Sequence, residues 1–166
     1  MIWRHWDEER AGRIVARTCA GLPLGRVQFA SMDRVPMSTE TWRTVLTALP
    51  GVCVLALKRH GASGLVEALL PEEAVGSEEI VRQMPVPQLQ RVKLAEVYLG
   101  ESALLADLAN CVARRRVYER APSGKAEGEH RLKTVCFDRC RSVGEEGIAV
   151  LEEIGLEVEV VCASPQ

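Results

Sequence analysis

Apolar residues take the spacing L-x-x-L-x-L four times along the chain, as Leu24/Val27/Phe29, Val52/Leu55/Leu57, Leu89/Val92/Leu94 and Leu132/Val135/Phe137. Alternation within each triplet sends its last two members to one side of a strand. Behind each triplet the apolar residues recur every three or four positions, which marks an amphipathic helix. One such triplet carries little weight in a chain that is 47% apolar. The same order of strand, turn and helix four times over predicts a strand-helix repeat.

The elements follow from this pattern. A helix over residues 6–20 is expected from Trp6, Ile14, Val15 and Cys19 on one face, ended by Gly21 and Pro23. Strands are predicted at residues 24–30, 52–58, 89–95 and 132–138, and a fifth at 156–161 alternates Val158 and Val160 with Glu157 and Glu159. Ser38 or Thr39 is placed to cap a helix carrying Trp42, Val45, Leu46 and Leu49. Further helices carry Leu65, Val66 and Leu69, then Leu104, Leu105, Leu108, Cys111 and Val112, then Ile148, Leu151 and Ile154 with Gly155 as a C-terminal cap. The triplets begin 28, 37 and 43 residues apart. Two insertions account for the longer intervals: residues 71–87, where Pro85 and Pro87 oppose regular structure, and the polar loop 117–131. The expected fold class is α/β, a short curved solenoid of about four irregular strand-helix repeats with a parallel sheet. Residues 1–166 form a single domain, with 1–21 as N-terminal helix or cap, 22–161 as repeats and 162–166 as tail.

Charge and cysteine content narrow the function. A net charge of -2 makes no demand for nucleic acid or an anionic membrane. Arg114, Arg115, Arg116 and Arg120 cluster near the end of a helix, where cations are favoured, and read as a solvated face. The six cysteines include no C-x-x-C pair and no histidine at ligand spacing, so neither metal nor cofactor is expected. Cys53, Cys111 and Cys136 fall inside apolar patterns as small buried hydrophobes, and Cys136 and Cys140 are not spaced for an unstrained disulfide. Residues 1–10 are charged and no apolar run reaches membrane-spanning length, so an intracellular protein of the cytoplasm or nucleus is expected.

Two passages resemble a known family. One is Pro87-Gln-Leu-Gln-Arg-Val-Lys-Leu-Ala-Glu-Val with the helix that ends in Ala113-Arg-Arg-Arg. The other is Leu132-Lys-Thr-Val-Cys-Phe-Asp-Arg-Cys-Arg-Ser-Val-Gly-Glu-Glu-Gly-Ile. Strand, polar turn and helix in this form are similar to leucine-rich repeats, specifically the C-terminal repeats of fungal F-box proteins. The resemblance covers most of residues 22–161 and implies substrate recognition for a cullin-type ubiquitin ligase. The chain departs from that family in showing no Leu-Pro-x-Glu F-box opening ahead of the repeats, and in lacking the asparagine that commonly follows the strand.

If the apolar strand positions face the helices, period two turns Arg26, Gln28, Val54, Ala56, Lys58, Arg91, Lys93, Thr134, Cys136 and Asp138 to the opposite, open face. The candidate partner-binding residues are therefore Arg26, Gln28, Lys58, Arg91, Lys93, Thr134 and Asp138. Their basic stripe suits an acidic peptide or protein surface, although solvated charge that keeps an open sheet soluble is the simpler explanation. No catalytic residue is assigned. The best enzyme-like feature is the turn Lys58-Arg-His-Gly-Ala-Ser-Gly, with His60, Ser63 and two glycines at a helix start. In an alternative reading, a small doubly wound domain holds an anion there. Strand order separates the two, because a doubly wound sheet reverses at a switch point whereas stacked repeats keep chain order.

Overall fold

The computed structural model describes residues 8–35, 37–59, 63–73, 82–97, 102–119, 132–141 and 143–161. The expectations for His60 to Ala62, Arg120, most of the loop 117–131 and the tail 162–166 lie outside these residues. Helix α1 (Glu8–Ala20) leads through a short 3-10 turn (Leu24–Arg26) to strand β1 (Phe29–Asp33) and helix α2 (Thr39–Thr47). Strand β2 (Val54–Lys58) and helix α3 (Ser63–Ala68) follow, and then a two-residue antiparallel pair, β3 (Glu72–Glu73) with β4 (Arg82–Gln83). Strand β5 (Arg91–Ala95), helix α4 (Ser102–Glu119), strand β6 (Thr134–Asp138), helix α5 (Glu145–Glu153) and strand β7 (Glu157–Val161) complete the chain.

Five strands make one open, all-parallel sheet in the order β1-β2-β5-β6-β7, which is chain order without a reversal. Each helix packs on the next: α1 on α2, α2 on α3, α3 on α4 and α4 on α5. Leu55 and Leu57, Val92 and Leu94, and Val135 and Phe137 are buried in a single core with Trp42, Val45 and Leu46 of α2, Leu65 of α3, Leu108 and Val112 of α4, and Leu151 of α5. Trp42 is completely buried, so its truncation to alanine would cost about 3–5 kcal/mol. Opposite strand residues stay outside this cluster, which leaves one sheet face open among the described residues.

Local chemistry explains the helix ends. Ser38 accepts a hydrogen bond from the Thr41 amide at 3.3 Å and caps α2. Glu145 and Glu146 sit in the first turn of α5, where carboxylates are favoured by the helix dipole. Gly155 adopts φ +77° and donates its amide to the Glu152 carbonyl at 2.7 Å, closing α5 as its sequence position predicts.

Three expectations need correction. The first strand is Phe29–Asp33 and not residues 24–30, and its apolar phase is shifted. Phe29 pairs with Val54 on the open face and is 59% exposed, while Ala30 and Met32 align with Leu55 and Leu57. The structural equivalent of the first triplet is Val27/Ala30/Met32. Its phase is set by contacts beyond the strand: the Gln28 carbonyl accepts from the Cys53 and Val54 amides, and a Cβ on Gly51 would lie 2.5 Å from the Gly25 carbonyl oxygen. These backbone constraints outweigh the gain of about 2 kcal/mol from burying a phenylalanine.

The arginine cluster is the second correction. Arg115 is only 1% exposed and donates to the carbonyls of Leu69 (3.2 Å), Pro85 (2.8 Å) and Val86 (3.0 Å), while Arg116 donates to the Gly155 carbonyl at 3.0 Å. Arg115 is thus an internal clamp, Arg116 ties α4 to the end of α5 from a half-exposed position, and Arg114 is exposed. Third, residues 117–119 continue helix α4, and the segment 71–87 contains the β3-β4 pair. Pro85 and Pro87 fall after β4, where no sheet partner needs their missing amides.

Candidate functional site

The open face is organised by the sheet register into three rows. The first is Phe29, Val54, Arg91, Thr134 and Glu157; the second is Ser31, Ala56, Lys93, Cys136 and Glu159; the third is Asp33, Lys58, Ala95, Asp138 and Val161. Five of the seven residues singled out from the sequence, Lys58, Arg91, Lys93, Thr134 and Asp138, come together here. Arg26 does not, because it belongs to the 3-10 turn, and Gln28 immediately precedes β1; both are exposed.

The face is not a free basic stripe. Arg91 reaches over β6 to pair with Glu159, Lys93 pairs with Asp138 at 2.7 Å, and Lys58 pairs with Glu96 at 3.4 Å. The Arg91 and Lys93 pairs reach onto and across β6, where Thr134 and Cys136 are 7% and 5% exposed although they point to the open side. Thr134 also donates its hydroxyl to Glu157 Oε2 at 3.2 Å. In the first two rows the β1-β2 side carries no ion pair among the described residues, and Phe29, Val54, Ser31 and Ala56 are uncharged there. The first two rows are therefore uncharged on β1 and β2 and carry the ion pairs on β5 to β7, while the third row is charged at the ends of both β1 and β2.

Its rim is built from a conformation the sequence does not announce. The residue after each of four strands, Arg34, Arg59, Glu96 and Arg139, has a left-handed backbone with φ between 52° and 55°. Each donates its amide to the last carbonyl of the neighbouring strand: Arg34 to Lys58, Arg59 to Ala95, Glu96 to Asp138 and Arg139 to Val161, at 2.8–3.1 Å. The left-handed turn swings the following chain off the sheet, and none of the four is glycine or asparagine. Their side chains continue the network. Arg59 Nε donates to Asp33 Oδ1 at 2.9 Å, and Glu96 lies within 3.8 Å of Arg59 and 3.1 Å of Arg139. A hydrogen bond from Lys93, supplemented by Arg139, holds the Asp138 carboxyl below the ordinary carboxylate range, and Arg59 does the same for Asp33.

Cysteine chemistry is muted. All five described cysteines, Cys19, Cys53, Cys111, Cys136 and Cys140, are free thiols. Burial pushes the Cys111 thiol up to about 11, and raises Cys136, assisted there by Glu159. Cys140 donates to the Leu94 carbonyl at 3.1 Å and so ties the turn after β6 back to the neighbouring strand, two residues past the strand end. Among the described residues no group of three or more histidine, cysteine or acidic side chains could hold a metal ion, and no helix is long and apolar enough to cross a membrane.

The residues missed in the sequence are Phe29 on the open face, Arg115 in the interior and the four left-handed residues of the rim. Arg115 had a legible signal, since it continues the helical spacing of Leu108, Cys111 and Val112. The others had none. No protein-family model matches the chain, and no curated protein matches it.

Proposed function

We propose that this chain is a noncatalytic protein-binding module, a short solenoid of leucine-rich-type strand-helix repeats that receives its partner on the open sheet face. The observation that carries this reading is the five-strand parallel face in chain order, which no described element covers and whose side chains align in register from Phe29 to Glu157. Helices stacked in the same order on the buried side support a repeat architecture. The strand order gives no switch point in support of the doubly wound alternative with an anion at residues 58–64.

The face suits a partner with an apolar anchor and charges of both signs. An acidic surface alone would have to displace Glu159, Asp138 and Glu96 from Arg91, Lys93 and Lys58. An apolar side chain seated on Phe29 and Val54 removes exposed apolar area at no such cost, and exposed aromatics are frequent anchors of interfaces. The test is affinity capture from native extract with the wild-type chain and with Phe29→Glu and Lys93→Glu variants. Partners captured by the wild type and lost in both variants support the reading; an unchanged set of partners overturns it. The two passages similar to F-box repeat proteins support ubiquitin-ligase substrate recognition as the setting. Co-purification of a cullin adaptor tests that extension, and its absence under native conditions removes it.

A further inference from the structure

The large apolar side chains left exposed among the described residues are Ile14, Leu22, Phe29, Val150, Val160 and Val161, between 42% and 59% accessible. Their distribution is uneven. The first three lie on α1, the turn after it and β1; the last three lie on α5 and β7. Among the described side chains nothing comparable is exposed on α2, β2, β5, α4 or β6, each of which lies between neighbours in the stack. Among the described residues the exposed apolar surface is therefore concentrated at the two ends of the sheet.

The backbone at those ends is complementary. At each internal junction the core-facing residues of one strand bond to the open-face residues of the next. Gln28 accepts from Val54 and Arg34 donates to Lys58 at one end of the sheet, and Lys133 accepts from Glu157 and Arg139 donates to Val161 at the other. Alternation along a parallel strand then turns the N–H and C=O groups of Phe29, Ser31 and Asp33 outward on β1, and those of Val158 and Val160 outward on β7. These are the two kinds of position that bond each other at every internal junction.

Charge has the same polarity. Arg26 and Arg34, next to β1, take part in no ion pair among the described residues, whereas β7 presents Glu157, with Glu159 beside it held by Arg91. A foreign strand would have to supply one of these halves, and this chain carries both.

We propose that the β7 edge of one copy docks in parallel on the β1 edge of a second copy, continuing the sheet and its helix layer from head to tail. Val150, Val160 and Val161 then cover Ile14, Leu22 and Phe29, and the acidic edge meets the arginines. Such an interface joins two different surfaces, so each added copy presents a fresh edge and association does not stop at two.

Sedimentation velocity of the full chain over a concentration series tests this. The average mass rises with concentration past that of two chains. Ile14→Lys blocks one end and Val160→Lys the other. Each variant alone sediments as a monomer, and an equimolar mixture forms a dimer because one intact end of each kind remains. Both positions are exposed, so the far-UV circular dichroism stays that of the wild type. If either variant loses that signal, Arg26→Glu and Glu157→Lys replace them, and association again returns only on mixing. A wild-type chain that is monomeric throughout the series overturns the proposal. So do blocked variants that dimerise alone, or a mixture that fails to restore association.

Discussion

The Arg115 guanidinium donates to the carbonyl of Val86 at 3.0 Å, and Val86 is a β-branched residue held at φ 42° in the left-handed region. A branched side chain is unfavourable there. The bond from a charged, buried donor stabilises the turn that returns the chain from the β3-β4 excursion to β5. Arg115 ties that turn, through Pro85 and Leu69, to the end of α3 as well.

Arg115→Ala should therefore destabilise the fold strongly. Three carbonyls lose a charged donor at roughly 1 kcal/mol or more each, so about 3 kcal/mol or more is expected in urea unfolding. Arg115→Lys should recover only part of this, because a point charge on a flexible stem cannot reproduce the planar fork. A loss below about 1 kcal/mol in the alanine variant would show that the clamp is dispensable.

The left-handed rim residues make opposite predictions from one conformation. Arg34 has φ 55° and no ion pair among the described residues, so Arg34→Gly relieves backbone strain and should stabilise by up to about 1 kcal/mol. Glu96 also has φ 55° but faces Lys58, Arg59 and Arg139. Glu96→Gly gains the same relief and leaves three cations together, so it should be close to neutral. Paired urea denaturation curves decide the contrast.

Acid should destabilise the chain through the open face. Lys93 lowers the pKa of Asp138 and Arg59 lowers that of Asp33. A carboxyl depressed in the folded state adds stability above its unfolded pKa, and that stability is lost as pH falls through the folded pKa. The urea midpoint should hold steady down to the ordinary aspartate value near about 3.9 and decline below it. Asp138→Asn should flatten this decline while lowering stability at neutral pH; a slope equal to that of the wild type would remove Asp138 from the acid response.

Thiol labelling reads the cover over β6. Cys111, with its thiol pushed up to about 11, should be almost inert at neutral pH in the folded protein. Cys136 is shielded by the Arg91–Glu159 pair and its thiol is raised by burial and then by Glu159. Glu159→Gln removes the carboxylate and loosens the cover, so labelling of Cys136 by a disulfide reagent should accelerate several-fold while Cys111 remains slow. Equal acceleration at both sites would instead indicate global loosening.

Much of this architecture is decided locally. Leu55 and Leu57, Val92 and Leu94, and Val135 and Phe137 declare their buried side by alternation, and Ser38, Gly144 and Gly155 mark the helix ends, because these preferences act over a few residues. Four of the five sheet strands and the five principal helices were accordingly legible in the order of residues, whereas the first strand begins five residues later than alternation placed it. Only tertiary structure decided that Phe29 faces out, since the bonds of Gln28 to β2 and the close approach of Gly51 to Gly25 override the more apolar phase. It likewise decided that Arg91, Lys93 and Lys58 carry acidic partners, because Glu159, Asp138 and Glu96 reach them through sheet register across distant stretches of sequence. Periodicity separates one side of a strand from the other; which charges meet on that side depends on how the strands are laid together.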